Sequence, residues 1–306
     1  MAIRFTLRQL EYLVAVGETG SIAAAAEEVN VSSPSISSAI SQFEADLGIQ
    51  IFIRKHAQGL TLTSGGVQIY EQARHILREA GIIVDLANDI TDTIQGVITV
   101  GYLSTLTPVL GVSLRHSFEA LYPDTEMILK SAHQSDLFQM LRRAEIDLAV
   151  TYDLDIPDDI VFMGAETLPP YVLVAADHPL AGQGQVTVDD IAPLPMVLLD
   201  MPISRNYFLG IFERFGLKPH VVERTSDLAM LRSLVASGYG YGLVNIRTAT
   251  DIAPDGGKLA FLELKGDISK VTIGCGTKFA SHVPKIVEAF TDHMKSRVAA
   301  GDLPGM

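Results

Sequence analysis

The sequence of 306 residues has few of the features that mark exported or membrane-spanning proteins. Its one cysteine, Cys275, cannot close an intrachain disulfide, and no cysteine and histidine cluster at metal-ligand spacing accompanies it. No uninterrupted apolar run reaches the roughly 18 residues of a membrane span, and the opening residues lack the pattern of a signal peptide. We therefore expect a cytoplasmic protein without membrane association, metal or cofactor.

Positive charge is also scarce. The chain has 23 lysines and arginines against 36 aspartates and glutamates, which gives a net charge of −13 at pH 7. Acidic residues outnumber basic ones both in residues 1–95 and in the remainder. Because phosphate neutralisation supplies most non-specific affinity for nucleic acid, composition argues against a nucleic-acid partner unless the contacts are local.

Three short amphipathic helices are predicted before residue 48. The first begins near Leu7, the second follows the N-cap Ser21, and the third begins at Ser32 or Ser33 and ends at Gly48. Three such helices in so short a segment indicate a helix-turn-helix.

The third predicted helix carries small hydroxyl side chains opposite its apolar stripe, where a merely solvated face would more often carry charged residues. Small polar side chains let a helix approach base edges and phosphates in the major groove. A serine-rich surface helix explains this one helix equally well.

Residues 49–63 predict a two-stranded wing, with the basic pair Arg54 and Lys55 before a turn at Gly59. The pair suits a flanking phosphate or a minor groove, although an ordinary charged turn would look the same.

From Ile69 to Ile94, small or branched apolar residues recur at alternating spacings of four and three. Isoleucines occupy one of the two core positions of the heptad, and Ala73, Ala80 and Ala87 occupy the other. Because alanine is small, two such helices can pack closely. This heptad pattern predicts a homodimer through residues 65–94. The alternative is a long helix packed on its own domain.

The block LRQLEYLVAVGETGSIAAAAEEVNVSSPSISSAISQFEADLGIQIF, followed by Arg54 and LTLTSGG, resembles the LysR-type transcriptional regulators in order and spacing, and the likeness extends over the whole chain. The resemblance implies an all-α winged helix-turn-helix domain over residues 1–63, a long linker helix over 64–94, and an α/β two-lobed, periplasmic-binding-protein-like domain over 95–306. Lobe I would span roughly 95–165 and 269–306, and lobe II roughly 166–268.

The same resemblance implies a homotetrameric regulator that binds double-stranded operator or promoter DNA. Ser37 and Arg54 match the family pattern, whereas Ser33 stands where a glutamine usually precedes the proline, and Ser38 where a basic residue is usual. The candidate DNA contacts are Ser33, Ser35, Ser37, Ser38, Ser41, Gln42, Arg54 and Lys55.

Residues 96–306 alternate apolar runs with helical stretches, which predicts βα units, parallel sheets and a cleft between two lobes. Ligands of such folds bind beyond the carboxyl ends of strands, near helix N-termini. The candidate effector contacts are Ser104, Thr105, Ser131, His133, Pro202, Ser204, Arg205, Thr225 and Ser226. Arg205, a long cation at a predicted helix start, favours a small anionic or polar effector, although residues of this type before helices are more often caps.

Two other functions fit parts of the chain. The C-terminal half alone would suit a solute-binding protein, and a cleft would suit an enzyme, but no catalytic constellation or phosphate-binding loop is present in the sequence. The glycines at 238, 240 and 242 follow a predicted helix and precede a strand, the reverse of a dinucleotide fingerprint. Cys275 lies in an apolar run and is expected to be a core thiol, with redox sensing as the alternative.

Overall fold

The computed structural model describes residues 4–55, 59–91, 93–278 and 283–303, without the side chains of residues 54, 55, 85, 88 and 89. The chain divides into two compact units, one of residues 1–93 with 143–145 and one of residues 94–142 with 146–306.

The first unit is a bundle of helices with a two-stranded hairpin. Its elements are α1 (Leu7–Thr19), α2 (Ile22–Glu28), α3 (Ser33–Leu47), β1 (Phe52–Lys55), β2 (Gly59–Leu62) and α4 (Ser64–Thr91). Strands β1 and β2 pair antiparallel and form the predicted wing.

Local signals explain where the three short helices start and stop. Thr6 caps α1 in a capping box, and the hydroxyls of Ser21 and Ser32 accept from backbone N–H groups of α2 and α3. Gly20 and Gly48 end α1 and α3 in the left-handed conformation.

The apolar stripe of α3 packs inward through Ile36, Ile40 and Phe43, as its spacing predicts. Leu47, which the same spacing places in the core, is 36% exposed. Leu47 is the last helical residue, where the chain already turns away into Gly48, so its side chain lies at the rim of the packed face.

Helix α4 changes its surroundings along its length. Ala73 is buried, and Ile69 and Ile76 pack against the core of the first unit. Further on, Ile83 is 70% and Ile90 is 85% exposed. The helix is therefore packed on its own unit in its first half, and its second half exposes large apolar side chains.

The second unit contains two lobes, each built on its own sheet. Its strands are β3 (Gly96–Leu103), β4 (Thr125–Ala132), β5 (Leu148–Tyr152), β6 (Val161–Leu168), β7 (Tyr171–Ala175), β8 (Gln185–Thr187), β9 (Pro195–Leu199), β10 (His220–Thr225), β11 (Gly242–Val244), β12 (Leu259–Lys265) and β13 (Val271–Thr277). Its α-helices are α5 (Val112–Leu121), α6 (Gln134–Arg142), α7 (Val188–Ile191), α8 (Pro202–Arg214), α9 (Leu228–Ala236) and α10 (Lys285–Ala299), and a single π-helical turn covers Thr107–Gly111.

The sheet of the first lobe has the order β4-β3-β5-β13-β6. Strands β4, β3 and β5 are parallel, as the alternation of strands and helices predicts. The sheet is nevertheless mixed, because β13, which was not expected in it, runs antiparallel to both β5 and β6. Strand β13 enters this sheet directly from the second lobe and not through a crossover helix, so nothing forces it to be parallel.

The second lobe has a four-stranded sheet of order β11-β7-β12-β8 and a parallel pair of β10 and β9. A bridge between Met196 and Tyr241 connects the two. The glycine-rich stretch lies in the turn from α9 to β11, as predicted. Gly240 has φ 157°, and a Cβ there would lie 2.3 Å from the carbonyl oxygen of Pro195, so only glycine fits.

Candidate functional site

The first candidate site is the outer face of α3. Ser35, Ser37, Ser38 and Ser41 are exposed on it, and Ser33 is half-buried at the start of the helix. The buried stripe on the opposite side anchors the helix, so these hydroxyls are presented together on a rigid element.

Two members of this face are already engaged within the helix. The hydroxyl of Ser35 lies 2.7 Å from that of Ser32 at the N-cap, and the Gln42 amide donates to Asp46 at 2.9 Å. Gln42 must leave Asp46 before it can make a two-point contact to a base. Ser37, Ser38 and Ser41 are the exposed hydroxyls nearest the middle of the helix.

Arg54 and Lys55 belong to β1, where their backbones pair with Leu60 and Gly59. Their side chains lie outside the part of the chain that the structure describes. Their role as phosphate contacts stays a prediction.

The second candidate site is a cavity of about 670 Å³ in the second unit, within the size range of small-molecule sites. On the side of the first lobe it is lined by Ser104, Thr105, Pro108, Val109 and His133. Strands β3 and β4 are parallel neighbours with their last residues in register, so the loops that follow them meet at one edge of the sheet. This is why residues almost thirty positions apart share one wall.

On the side of the second lobe the cavity is lined by residues 226–229, Arg232, residues 248–250 and Pro254. Ser226 and Asp227 join β10 to α9, and the Asp227 carboxylate caps that helix by accepting from the N–H groups of Ala229 and Met230. The cavity therefore lies between the two lobes.

Four of the nine predicted effector contacts line this cavity: Ser104, Thr105, His133 and Ser226. Thr105 is 8% exposed, which places it deep in the wall. The two loops of the first lobe and the turn before α9 thus converge as the sequence predicts.

Arg205 lies elsewhere. Its Nη1 donates to Asp200 at 3.1 Å, and Arg224 donates to the other oxygen of the same carboxylate at 3.2 Å. Asp200 directly follows β9. Because its carboxylate already accepts from Arg205, it competes with any ligand for that guanidinium.

The remaining four predicted contacts also lie outside the lining. Ser131 is hydrogen-bonded to Thr107 at 2.8 Å, and Thr225 is buried and accepts from the N–H of Asp227 at 3.1 Å. Pro202 begins α8 and Ser204 lies in its first turn. These four residues therefore fit the alternative stated for such positions, in which they cap helices or shape turns and do not contact a ligand.

The sequence did not indicate Arg232 or the loop of residues 248–254. Arg232 sits in the middle of α9, where an arginine is usually a solvated side chain, and the loop follows an antiparallel strand. One signal in the sequence could have indicated this loop. A polar stretch follows the predicted strand that ends at Val244, just as the other lining loops follow the ends of strands.

Among the described residues, no group of three or more histidine, cysteine, aspartate or glutamate side chains could hold a metal ion. None of the described helices is both long and apolar enough to cross a membrane.

Comparison with known proteins decides the family. Residues 7–67 match the bacterial regulatory helix-turn-helix protein, lysR family, and residues 91–299 match the LysR substrate binding domain. The chain belongs to the LysR family. It is thus a transcriptional regulator with a DNA-binding helix-turn-helix and an effector-binding domain, and not an enzyme.

Relatives of known structure share this architecture. The PA01 protein of Pseudomonas aeruginosa, described as a LysR family transcriptional regulator, is 30% identical, with a TM-score of 0.65 over 97% of this chain and 100% of that one. A full-length OxyR variant from the same species, with a cysteine replaced by aspartate, is 24% identical and shares the fold, with a TM-score of 0.76 over 95% of this chain and 98% of that one.

Among curated proteins, the chain is 27% identical over 239 residues to the hydrogen peroxide-inducible genes activator of Pectobacterium carotovorum subsp. carotovorum. The match covers 78% of this chain and 79% of that protein. In this LysR-family chain the only cysteine, Cys275, is 1% exposed, and burial raises the pKa of its thiol to about 12.

Proposed function

We propose that this LysR-family regulator binds operator DNA through α3 and the wing, and that a small polar or anionic effector in the interlobe cavity controls this binding. The cavity carries the proposal, because polar side chains from separate loops of both lobes line it. A ligand that touches both lobes favours one arrangement of them over others, and that preference is the source of regulation.

In this proposal the exposed serines of α3, with Gln42, approach the major groove, and Arg54 and Lys55 bind flanking phosphates. The effector contacts are Ser104, Thr105, His133 and Ser226. The domain division at residues 63 and 94 is part of the same proposal, and the cytoplasm is the compartment that suits a protein acting on DNA.

The proposal includes a homodimer through residues 65–94, assembled further into a homotetramer. The exposed apolar residues in the second half of α4 support it, since soluble proteins rarely leave such residues on one helix face without a partner. Two recognition helices on one duplex also double the DNA contacts, which a chain of net charge −13 needs.

The peroxide response named for the Pectobacterium relative suggests a second mode of control, oxidation of a thiol. We favour ligand binding, because the thiolate is the form that reacts with oxidants and burial disfavours it at Cys275. With one cysteine, the chain also lacks a partner for an internal disulfide.

Fluorescence anisotropy with a duplex from upstream of the protein's own gene tests this choice. Hydrogen peroxide added to the native protein should leave the apparent Kd for DNA unchanged, and Cys275→Ser should behave like the wild type. A peroxide-dependent change in Kd that disappears in Cys275→Ser would contradict control by ligand binding alone.

A further inference from the structure

The cavity wall contains a buried positive charge at Arg232. This residue is 6% exposed, and its guanidinium lies 5.8 Å from the ring centroid of Phe261 in β12. Its Nη2 donates to the carbonyl oxygens of Thr250 and Ile252, at 2.8 and 3.0 Å. Through these contacts Arg232 connects α9 to the loop that lines this side of the cavity.

No anion lies paired with the charge of Arg232 in the part of the chain that the structure describes. Among the described residues no carboxylate forms an ion pair with Arg232, and its Nε and Nη1 make no hydrogen bond. Burial lowers the pKa of Arg232, and the more distant charge of Asp251 offsets this only in part. A buried charge without a counter-ion is costly, so an anion at this place would be strongly favoured.

Two carboxylates on this side of the cavity, Asp227 and Asp251, already have partners. Asp227 accepts from two N–H groups at the start of its own helix. Asp251 pairs with Arg247 at 3.2 Å. Neither forms an ion pair with Arg232, so among the described residues its guanidinium has room for the carboxylate of a ligand.

Most other side chains of the lining are apolar or small. Pro108, Val109, Leu228, Ala249 and Pro254 contribute no charge and little hydrogen bonding. A wall of this kind suits the hydrocarbon part of a ligand, while hydroxyls such as those of Ser104 and Thr105 can accept or donate at its edge.

We propose that the effector is an organic monocarboxylate with an apolar body, and that Arg232 binds its carboxylate. This rests on the proposed function and replaces Arg205 with Arg232 as the anchoring cation. A two-point pairing of guanidinium with carboxylate is among the stronger polar contacts in proteins. Because Arg232 also holds residues 250–252, the ligand would tighten the loop that closes the cavity.

The test measures the thermal stability of the full-length protein with a panel of aliphatic and aromatic monocarboxylates, each paired with its primary amide, such as phenylacetate with phenylacetamide. A ligand that binds only the folded protein raises Tm in a concentration-dependent way. We expect carboxylates of suitable shape to raise Tm and their amides not to do so. In Arg232→Met, the carboxylate affinity should fall by about ten- to hundredfold, the loss expected for a charged hydrogen bond.

Arg247→Lys is the control on the same loop, because a lysine there keeps a positive charge beside Asp251. Arg247 lies on the same loop region and its guanidinium is 5.1 Å from the same Phe261 ring, but it is paired with Asp251 and does not line the cavity. This variant should keep the carboxylate response of the wild type. Arg205→Met should keep it too.

A second variant leaves Arg232 in place, in case its removal unfolds the loop. Ala229→Glu puts a carboxylate in the cavity three residues before Arg232 on α9, a spacing at which helical side chains meet. It should remove the response to added carboxylates, whereas Ala229→Gln, which adds the same volume without the charge, should weaken that response less.

Equal binding of acid and amide would overturn the anionic class, and a response lost in Arg205→Met but kept in Arg232→Met would overturn the anchor. The proposal also fails if no carboxylate raises the Tm of the wild type. If the same preparation still bound DNA specifically, only the proposed ligand class would be wrong, and the proposed function as a DNA-binding regulator would remain supported. Absence of DNA binding would remove the proposed function itself.

Discussion

Ser38 is the residue at which the proposed DNA-binding face departs most from what phosphate contact requires. It is exposed in the middle of α3, and in the proposed complex a basic side chain there would reach the DNA backbone. The scarcity of basic side chains on this face agrees with the excess of acidic over basic residues in residues 1–95.

We expect Ser38→Arg to bind DNA more tightly and with a steeper dependence on salt. Each added phosphate contact steepens the slope of log K against log salt by about 0.9. Anisotropy titrations over a salt series measure both quantities, and Ser38→Gln controls for side-chain size. An unchanged slope would mean that Ser38 does not face the phosphates.

Among the helices, α1 and α4 pack against each other at Gly17 of α1. Glycine often ends a helix, but α1 continues past Gly17 to Thr19. A Cβ on Gly17 would lie 2.6 Å from ring carbons of Tyr70, whose hydroxyl accepts from Arg74 at 2.8 Å. Gly17 is therefore a packing residue within the helix and not its end.

Gly17→Ala should destabilise the protein by about 1–3 kcal/mol, the usual cost of forcing extra volume into a packed contact. Chemical denaturation measures this change. Gly81→Ala is the control, because a Cβ there meets nothing within 4 Å and alanine favours a helix. Equal stability of the wild type and Gly17→Ala would contradict the close crossing.

The second half of α4 should carry the dimer contact. Ile83→Glu, and likewise Ile90→Glu, should weaken dimerisation by more than about tenfold, since each places a charge where an apolar partner is expected. Light scattering after size-exclusion chromatography follows the mass. Gly81→Glu carries the same charge on nearly the opposite side of the helix and should stay dimeric. Dimers of both isoleucine variants would rule out this seam.

How far the sequence predicts each element depends on where its side chains lie. Apolar runs whose side chains are nearly all buried, such as those of β5 and β7, are recognisable as strands from the sequence. Strands β6 and β8 were not predicted, because each buries only one of its side chains. Strand β12 was not predicted either, although Leu259–Leu262 form an apolar run. The same limit applies to the cavity. Its loops after parallel strands followed from topology, whereas Arg232 reaches it only through tertiary packing of α9.

For the whole molecule, one pH dependence follows from His293. Its Nε2 lies 2.7 Å from the Ser117 hydroxyl, and burial, with the charge of Arg297, lowers its pKa below the ordinary 6.5. As pH falls through 6.5 the unfolded chain takes up a proton at this histidine before the folded protein does, so stability is lost.

The free energy of unfolding of the wild type should therefore decline between pH 6.5 and the lower folded-state pKa of His293. His293→Gln, which keeps a hydrogen-bonding side chain but does not titrate, should show a flatter profile in this window. Carboxylates with lowered pKa, such as Glu119 and Asp159, lose their contribution only in more acidic solution. Parallel profiles for the two proteins would exclude His293 as the cause.

In the proposed function, an acidic chain binds specific DNA through paired helix-turn-helix units. The most direct measurement is anisotropy of the full-length protein with a duplex from upstream of its own gene and with a scrambled duplex, each over a salt series. We predict tighter binding to the specific duplex and an affinity that falls linearly in log K against log salt. Equal affinity for both duplexes, or no binding at low salt, would contradict the claim.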